Sequence, residues 1–324
     1  MTKAIRIHQT GGPEVLKWED VDVSEPKQGE ARIRHTAIGL NYIDTYHRSG
    51  LYPVPLPAVI GGEGAGIVEA VGPGVTDIKV GDRVAYGNAP IGSYAEERII
   101  PADRLVKIPD GISDQQAASM MLKGLTAQYL IRSTYRVQKG DTILMHAAAG
   151  GVGLILCQWA KYLGATVIGT VGSKDKAELA KKHGCDHVIL YRETKFPDEV
   201  KRLTNGAGVP VVYDGVGKDT FMDSLDCLRP RGMMVSFGNA SGAVPPFNIG
   251  ILAQKGSLFL TRPTLASYVA KREELVANAN ELFDVVKKGA VKIEINQTYP
   301  LKDAAQAHRD LESRKTTGST VLLP

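Results

Sequence analysis

The 324-residue sequence predicts an α/β protein in which a mainly β module is followed by a doubly wound parallel sheet. Up to about residue 120, short apolar runs are separated by Gly- and Pro-containing turns at roughly ten-residue intervals, which is typical of an all-β module. From about residue 140, the apolar runs TILMH, ATVIGTV, HVILY, PVVYD and GMMVSFG alternate with helical segments. This alternation indicates a parallel sheet that is covered on both faces.

After about residue 260 the sequence predicts a helix (KREELVANANELFDVVKKG), the run VKIEI, a second helix (LKDAAQAHRDLES) and a last strand (STVLLP). These elements do not obviously extend the parallel sheet. They could return to the N-terminal β module, which would make the middle domain an insertion. Periodicity alone leaves this return open.

Composition and charge exclude several classes of protein. The net charge of +4 is spread along the chain without the basic run of a nucleic-acid-binding tail. The three cysteines, Cys157, Cys185 and Cys227, are too widely spaced for a disulfide framework or a CxxC ligand pair. The N-terminal segment lacks the apolar stretch of a signal peptide, and no run is long enough to cross a membrane. We therefore expect a cytoplasmic protein.

A glycine-rich motif, Ala147-Ala-Ala-Gly150-Gly-Val-Gly153, lies between the apolar run TILMH and the helical run LILCQWAKYLG. It has the AxxGxxG form of the GxGxxG class, in the strand–turn–helix context that such a motif requires. Glycine lets the backbone approach a pyrophosphate, which then lies at the positive end of the helix. The motif predicts a Rossmann-type dinucleotide site, with a purely structural turn as the alternative.

The end of the next predicted strand favours NADP(H) over NAD(H). NAD enzymes commonly have an acidic residue there that binds the ribose 2′-hydroxyl. In this chain the strand ends in Gly172-Ser173-Lys174-Asp175-Lys176. A small residue, a hydroxyl and two lysines suit a 2′-phosphate. The alternative is a solvated helix start, where lysines are common.

Two further segments follow predicted strands at the edge where ligands of such sheets lie. Tyr191 comes just after the third strand and is a candidate to flank the adenosine ribose-phosphate, although a packed tyrosine is the alternative. Phe237-Gly238-Asn239 ends the fifth strand and is a candidate neighbour of the nicotinamide.

The chain resembles the quinone oxidoreductase/ζ-crystallin family of medium-chain dehydrogenases/reductases, and most closely its bacterial NADPH:quinone oxidoreductases. The segment Asn41-Tyr-Ile-Asp44-Thr-Tyr46-His-Arg48-Ser-Gly50-Leu-Tyr52-Pro53 is similar to the family's active-site segment, and the opening GGPEVL and closing LKDAAQAH…LES also fit. The resemblance covers nearly the whole chain. The family signature is matched in spacing by Gly140-Asp141, Leu144, Ala148-Ala149-Gly150-Gly151, Gly153, Gln158 and Lys161.

The resemblance implies a GroES-like domain of residues 1–124 and 263–324 and a Rossmann domain of residues 125–262. It also implies a homodimer that is joined through the Rossmann sheets. The segment Ser257-Leu-Phe-Leu-Thr-Arg262 has the pattern of an apolar edge strand, and pairing two such edges would cover them. The alternative is a strand that the following helix covers.

The zinc ligands of related alcohol dehydrogenases are not matched in this chain. Those enzymes have a cysteine ligand of the catalytic zinc where this chain has Asn41, and Gly-His-Glu where it has Gly61-Gly62-Glu63. Residues 1–124 contain three histidines (His8, His35 and His47) and no cysteine, so the usual N/S ligand set cannot be built. We expect no zinc. Because alcohol oxidation depends on such a Lewis acid to stabilise the alkoxide, we do not expect this reaction.

A quinone needs no metal, because its carbonyls are electrophilic and hydride transfer depends mainly on proximity to the nicotinamide. Asn41 is expected to orient the nicotinamide or the acceptor, and Tyr46 and Tyr52 to stack or donate hydrogen bonds, with packing as their alternative role. Arg262 is expected to stabilise an oxyanion or bind a cofactor phosphate. For Asp44, pairing with Arg48 is an alternative to a catalytic role.

The cofactor is expected to be NADPH. The resemblance implies that Thr126 and its neighbours line the nicotinamide pocket, whereas packing at Gly124 is the alternative. No role is expected of His47. The full set of expected cofactor-binding residues is Asn41, Thr126, Ala148, Gly150, Gly151, Val152, Gly172, Ser173, Lys176, Tyr191, Gly215, Phe237, Gly238, Asn239 and Arg262.

Two other functions fit the same sequence. An NADPH-dependent enone or 2-alkenal reductase uses the same cofactor geometry but typically needs a proton donor for the enolate. An NADPH-binding protein with a non-catalytic main role is the other alternative. Dispersed charge and the lack of an aromatic–basic stripe make nucleic acid an unlikely partner of this chain.

Overall fold

The computed structural model describes residues 1–88 and 90–324, which form two compact units. The first unit consists of Met1–Leu125, Val269–Lys287 and Ile293–Pro324. The second consists of Thr126–Tyr268 and Lys288–Lys292, so it interrupts the first unit along the chain. The predicted α/β architecture with an inserted doubly wound domain is thereby confirmed.

The N-terminal part of the chain is mainly β structure, as its closely spaced turn residues predict. The elements in order are β1 (Thr2–Ile7), β2 (Lys17–Val21), β3 (Glu30–Leu40), α1 (Tyr42–Ser49), β4 (Ala58–Val59), β5 (Glu63–Val71), β6 (Arg83–Gly87), β7 (Glu97–Pro101), β8 (Val106–Lys107) and α2 (Asp114–Tyr129). Helix α2 continues into a π-helical turn, Leu130–Thr134.

The middle of the chain alternates strands and helices, as the apolar runs predict. Its elements are β9 (Thr142–Met145), α3 (Gly151–Tyr162), β10 (Thr166–Val171), α4 (Lys174–Lys182), β11 (His187–Leu190), α5 (Phe196–Leu203), β12 (Val209–Asp214), α6 (Phe221–Leu225), β13 (Leu228–Ser236), α7 (Gly250–Gln254), β14 (Phe259–Thr261) and α8 (Leu265–Tyr268).

The C-terminal elements are α9 (Arg272–Lys287), β15 (Ile295–Pro300), α10 (Ala304–Glu312) and β16 (Ser319–Leu323). Strand β16 pairs antiparallel with β3, with Val321 opposite Gly39, so the chain returns to the N-terminal module. Strand β15 begins at Ile295, the last residue of the run VKIEI. Earlier in this run, the Lys292 N–H and carbonyl form hydrogen bonds with the Gln158 side chain (2.9 and 3.0 Å) and not with a neighbouring strand.

The described residues of the first unit include two sheets and at least two hydrophobic clusters. One sheet has the strand order β15-β16-β3-β5-β6-β8, with β7 also paired to β3, and a smaller sheet has the order β2-β1-β4. Alternate residues of β3 are buried over most of its length, which is the period expected of a strand with one face on a core. Ile33, Val84 and Ile100 belong to one cluster, and Ile38 and Leu322 to the other.

The described residues of the second unit form a parallel sheet with the strand order β11-β10-β9-β12-β13-β14. Every residue of β12 is buried, as expected of a strand covered on both faces. The strand order changes direction between β9 and β12, and ligands of such sheets lie at this point, beyond the carboxyl ends of the strands. Among the described residues, no helix has the length and apolar character needed to span a membrane.

Candidate active site

The glycine-rich motif forms a tight turn between β9 and α3. Ala147 has a left-handed backbone (φ 53°), and the Gly150 N–H donates to the Ala147 carbonyl (2.9 Å). Gly150 is extended and precedes the first residue of α3. Because the first N–H groups of a helix have no partner within it, Gly151, Val152 and Gly153 present donors at the positive end of α3. This end of the helix can bind a pyrophosphate.

Gly153 has less space for a side chain than Gly150, where an added methyl group would lie 3.2 Å from the nearest atom. A methyl group on Gly153 would lie 2.4 Å from the Ala147 carbonyl oxygen and 2.7 Å from that of Ala148. Ala148 is fully buried and its N–H donates to the Thr170 carbonyl in β10 (3.1 Å). The turn is therefore packed against the neighbouring strand.

The residues after β10 and β11 form the expected site for a 2′-phosphate. Ser173 caps α4, and its hydroxyl accepts the N–H of Lys176 (3.4 Å). A methyl group on Gly172 would lie 2.7 Å from the Tyr191 hydroxyl, so the ring of Tyr191 is close to the end of β10. Tyr191 is 40% exposed, which leaves much of its ring accessible to a ligand.

The loops after β12 and β13 contact each other. A methyl group on Gly238 would lie 2.4 Å from the Gly215 carbonyl oxygen, and one on Gly215 would lie 3.0 Å from the ring of Phe237. Asn239 follows in the same loop and is partly exposed. Asp214 holds the loop after β12 in place, since its Oδ1 accepts the N–H groups of Val216 (2.8 Å) and Gly217 (3.0 Å).

The aromatic residues of the α1 segment form a cluster in the first unit. The rings of Tyr46 and Tyr52 meet edge to face, with 5.1 Å between their centres. The Tyr52 N–H donates to the Tyr46 carbonyl (3.1 Å). The ring of His47 meets Tyr52 at 6.1 Å, and burial lowers the pKa of this histidine. Tyr46 and Tyr52 are thus brought together by the turn that ends α1 at Gly50.

Asn41 precedes α1 and is joined to a buried ion pair. Its Nδ2 donates to Glu63 Oε2 (2.7 Å) and to the Gly39 carbonyl (3.3 Å). Lys123 Nζ lies 2.8 Å from the same Glu63 oxygen, and the Leu122 N–H donates to Glu63 Oε1 (2.8 Å). The Glu63 side chain is 0% exposed and that of Lys123 is 7% exposed.

Asp44 is buried in the first turn of α1 and does not pair with Arg48, so that alternative is wrong. Its Oδ2 accepts the Asn41 N–H and the Tyr94 hydroxyl, both at 2.9 Å. Burial raises the pKa of Asp44 to about 7, although these two hydrogen bonds act in the opposite direction. Arg48 forms a salt bridge with Glu312 of α10 instead (2.7 Å), because the last turn of α10 comes within reach of its guanidinium.

His308 of α10 connects Arg48 to Tyr94. Burial and the Arg48 charge lower the pKa of His308 to about 3, so the ring is neutral. Its Nδ1 accepts from Arg48 Nη1 (3.0 Å), and Nε2 therefore carries the proton and donates to the Tyr94 hydroxyl (3.0 Å). Tyr94 in turn donates to Asp44, which gives a one-way series of hydrogen bonds from Arg48 to the start of α1.

We expect replacement of Asp44 by asparagine to remove a specific pH dependence of stability. The unfolded carboxyl loses its proton at about pH 4, whereas the native one keeps it to about pH 7. Its stabilising contribution is therefore full below about pH 4 and is lost as pH rises to about 7. Urea unfolding across this range should show wild type losing stability relative to Asp44→Asn, on the order of a few kcal/mol. Parallel stability curves would contradict the raised pKa.

The structure places the expected residues in two groups. Ala148, Gly150, Gly151, Val152, Gly172, Ser173, Lys176, Tyr191, Gly215, Phe237, Gly238 and Asn239 lie on loops and helix starts after neighbouring strands of the second unit, while Asn41, Tyr46 and Tyr52 lie in or beside α1 in the first. Thr126 is buried at the start of the second unit, and Arg262 is exposed directly after β14.

Sequence reasoning did not identify the partners that hold Asn41 and Asp44. Glu63 is 22 positions from Asn41, and Tyr94 is 50 positions from Asp44. His308, which reaches Asp44 through Tyr94, is 264 positions from it. No local spacing relates them. Among the described residues, no three His, Cys, Asp or Glu side chains lie together as a set of metal ligands.

Two family models match the chain. The alcohol dehydrogenase GroES-like domain matches residues 27–110, and the zinc-binding dehydrogenase model matches residues 151–281. The quinone oxidoreductase of Pseudomonas aeruginosa is 57% identical over 100% of both chains. A 2-haloacrylate reductase of a Burkholderia species is 49% identical over 100% of this chain and 99% of its own.

Solved structures give the same result. The crystal structure of Escherichia coli quinone oxidoreductase complexed with NADPH matches this fold with a TM-score of 0.98 and 52% sequence identity, over 99% of this chain and 100% of that chain. These full-length identities of 57% and 52%, together with the structural match, show the family. The chain belongs to the quinone oxidoreductase family of the medium-chain dehydrogenases/reductases.

Proposed function

We propose that this protein is an enzyme that reduces quinones with NADPH and without a metal ion. The observation that carries the proposal lies at the ligand edge of the parallel sheet, where the open end of α3 is next to the end of β10. Strand β10 is followed directly by Gly172 and the Ser173 hydroxyl rather than by an acid, and the first turn of α4 then has two lysines around Asp175. The relatives named quinone oxidoreductase and the NADPH complex of one of them support the substrate and the cofactor.

The second unit is the NADPH-binding domain in this proposal. The N–H groups of Gly151 and Val152, with the small residues Ala148 and Gly150, hold the pyrophosphate at the N-terminus of α3. Ser173 and Lys176 bind the 2′-phosphate beside Gly172 and the Tyr191 ring. Thr126, Gly215, Phe237, Gly238 and Asn239 border the nicotinamide. NADPH, when bound, supplies the hydride.

The first unit is the substrate domain in this proposal. Asn41 orients the nicotinamide or the acceptor through its amide, and Tyr46 and Tyr52 provide an aromatic surface and hydroxyl donors. Arg262 of the second unit stabilises negative charge on the acceptor or binds a cofactor phosphate. Beside Asn41, the Glu63 carboxylate is already paired with the Lys123 ammonium and is not available as a metal ligand, which supports a metal-free reaction.

The test is NADPH oxidation by purified protein in metal-free buffer, with 1,4-benzoquinone and a simple enone as parallel acceptors and NADH as the control cofactor. Quinone-dependent oxidation that prefers NADPH is the expected result. Equal rates with NADH would contradict the role of Ser173 and Lys176. Restoration of activity only by added zinc would contradict the metal-free reaction.

Reduction of a polarised C=C bond is the second candidate function. It is favoured by the 49% identity to a 2-haloacrylate reductase and by the pair of tyrosines in the Asn41 segment, since an enolate needs a proton donor. Turnover of the enone alone would support this candidate and overturn quinone reduction. Tight NADPH binding without turnover of either acceptor would favour a non-catalytic main role.

We propose that this NADPH-dependent enzyme is located in the cytoplasm and that it works as a homodimer. Cys157, Cys185 and Cys227 are all free and buried, which suits a reducing compartment. Strand β14 is at the edge of the parallel sheet, and its Phe259 and Leu260 are 58% and 36% exposed. Pairing of two β14 edges would cover these side chains and the unpaired edge.

Replacing Phe259 with aspartate should convert the dimer into monomers, because a charge would enter the paired edge. Light scattering on a gel-filtration column measures the mass directly. Val80→Asp is a matched control, since Val80 is 59% exposed but lies in the first unit, and it should remain dimeric. A dimer that survives Phe259→Asp would show that the subunits join elsewhere.

A further inference from the structure

A buried ammonium group lies beside the Asn41 amide and has no role in the reaction described above. Lys123 Nζ and Asn41 Nδ2 bind the same oxygen, Glu63 Oε2, at 2.8 and 2.7 Å. The two nitrogen atoms are therefore neighbours across one carboxylate oxygen. The Lys123 side chain is 7% exposed, which is rare for lysine and indicates that its charge is held inside the protein.

Glu63 is fixed in place by the backbone around it. Its Oε1 accepts the Leu122 N–H (2.8 Å), so both carboxylate oxygens are used. The close approach of Glu63 to β3 requires glycine at position 39, where a methyl group would lie 2.2 Å from Oε2. A carboxylate held on two sides in this way fixes the ammonium that pairs with it, because the lysine cannot turn toward water without leaving a buried charge unpaired.

The hydrogen-bonding capacity of this cluster matches a carbonyl acceptor. An ammonium has three N–H groups, and Glu63 takes one of them. Asn41 Nδ2 is directed to Glu63 and the Gly39 carbonyl. The Asn41 side-chain oxygen accepts the Asp44 N–H in the capping box of α1, and an amide oxygen has a second lone pair that can accept another hydrogen bond. A quinone carbonyl oxygen can only accept hydrogen bonds. Lys123 is therefore the member of the cluster that suits it, and the Asn41 oxygen suits an amide N–H such as that of the nicotinamide.

We propose that Lys123 is a catalytic residue whose ammonium donates a hydrogen bond to the carbonyl oxygen of the acceptor, and that Glu63 is the positioning residue. The inference rests on the proposed quinone reductase function. The acceptor gains one hydride from NADPH and one proton from water to become a hydroquinone. The negative charge that develops on the oxygen before that proton arrives is stabilised by the fixed ammonium, as in other sites with preorganised donors.

The test compares Lys123→Met/Glu63→Gln with Lys123→Gln in the full-length protein. The double variant removes both charges together, and its Glu63→Gln side chain retains an oxygen that can accept from Asn41. Lys123→Gln retains an uncharged N–H donor. Lys107→Met is the matched control, because the Lys107 side chain is 56% exposed and pairs with Asp82 at the surface. For each variant, fluorescence titration gives the Kd for NADPH, and steady-state kinetics with 1,4-benzoquinone give kcat.

We expect kcat to fall about 100-fold in the double variant and less in Lys123→Gln, with the Kd for NADPH within about threefold of wild type. With a series of substituted quinones, the fall in kcat of the Lys123 variants should be larger for quinones whose product phenolate is more basic. A purely structural role would lower kcat equally for all these quinones. Lys107→Met should match wild type.

The outcomes separate the two proposals. A wild-type protein that does not reduce quinones would overturn the proposed function itself. Folded variants that keep the wild-type kcat, or that lose only NADPH affinity, would overturn the role of Lys123 and leave the function intact. Should the double variant fail to fold, the same readings on Lys123→Gln decide between these results.

Discussion

Gly153→Ala is expected to weaken NADPH binding about 100-fold. The added methyl would lie 2.4 Å from the Ala147 carbonyl oxygen and 2.7 Å from that of Ala148. Both contacts are with backbone atoms, so the turn between β9 and α3 must move. The N–H groups that we propose as pyrophosphate ligands move with it. Fluorescence titration with NADPH measures the loss.

The matched control is Gly250→Ala in α7. Its methyl would meet only the side chain of Asn248, at 3.1 Å, and alanine is a better helix former than glycine. We expect this variant to bind NADPH like wild type. If Gly153→Ala kept wild-type affinity and melting temperature, the close approach of α3 to the turn would not be what creates the phosphate site.

Glu63→Leu is expected to lower the free energy of unfolding by about 3–5 kcal/mol, the largest stability effect that we expect of a single substitution. The substitution leaves the Lys123 ammonium buried without its carboxylate. It also removes the acceptor of the Leu122 N–H and of Asn41 Nδ2. Urea unfolding followed by circular dichroism measures the change.

Two comparisons test the cause of that loss. Adding Lys123→Met to Glu63→Leu should restore part of the stability, because the uncompensated charge is removed. Asp20→Ala breaks the exposed pair of Lys3 and Asp20 and should cost less than about 1 kcal/mol. A further loss of stability on adding Lys123→Met would show that the unpaired ammonium is not the source of the effect.

The second unit was the more predictable half of the fold. Its strands are near-continuous apolar runs, and the AxxGxxG motif is contiguous, so strand, turn and helix could each be assigned from neighbouring residues. The prediction of an edge strand at residues 257–262 agrees with the position of β14 in the sheet. The run VKIEI was less predictable, because its backbone bonds to the side chain of Gln158, which lies far away in the sequence.

Periodicity did not show whether the C-terminal segment returns to the N-terminal β module. The pairing of β16 with β3 shows that it does. An apolar strand such as STVLLP can join either sheet, and only the register of Val321 opposite Gly39 shows that it joins β3. Arg48 illustrates the same limit at the level of side chains. Its spacing from Asp44 suits a pair on one helix face, but Glu312 of α10 provides a salt bridge that sequence spacing cannot reveal.

The class of the fold, the glycine-rich turn and the residues that follow β10 could be predicted from the sequence, because each depends on residues that are close together in the chain. The groups that surround Asn41 and Asp44 could be identified only from the three-dimensional structure. Glu63, Lys123, Tyr94 and His308 come from separate strands, helices and loops, and their hydrogen bonds form only when these elements pack. A turn or a helix start depends on residues that are close in the sequence, whereas a buried polar network depends on contacts between residues that are far apart in the sequence.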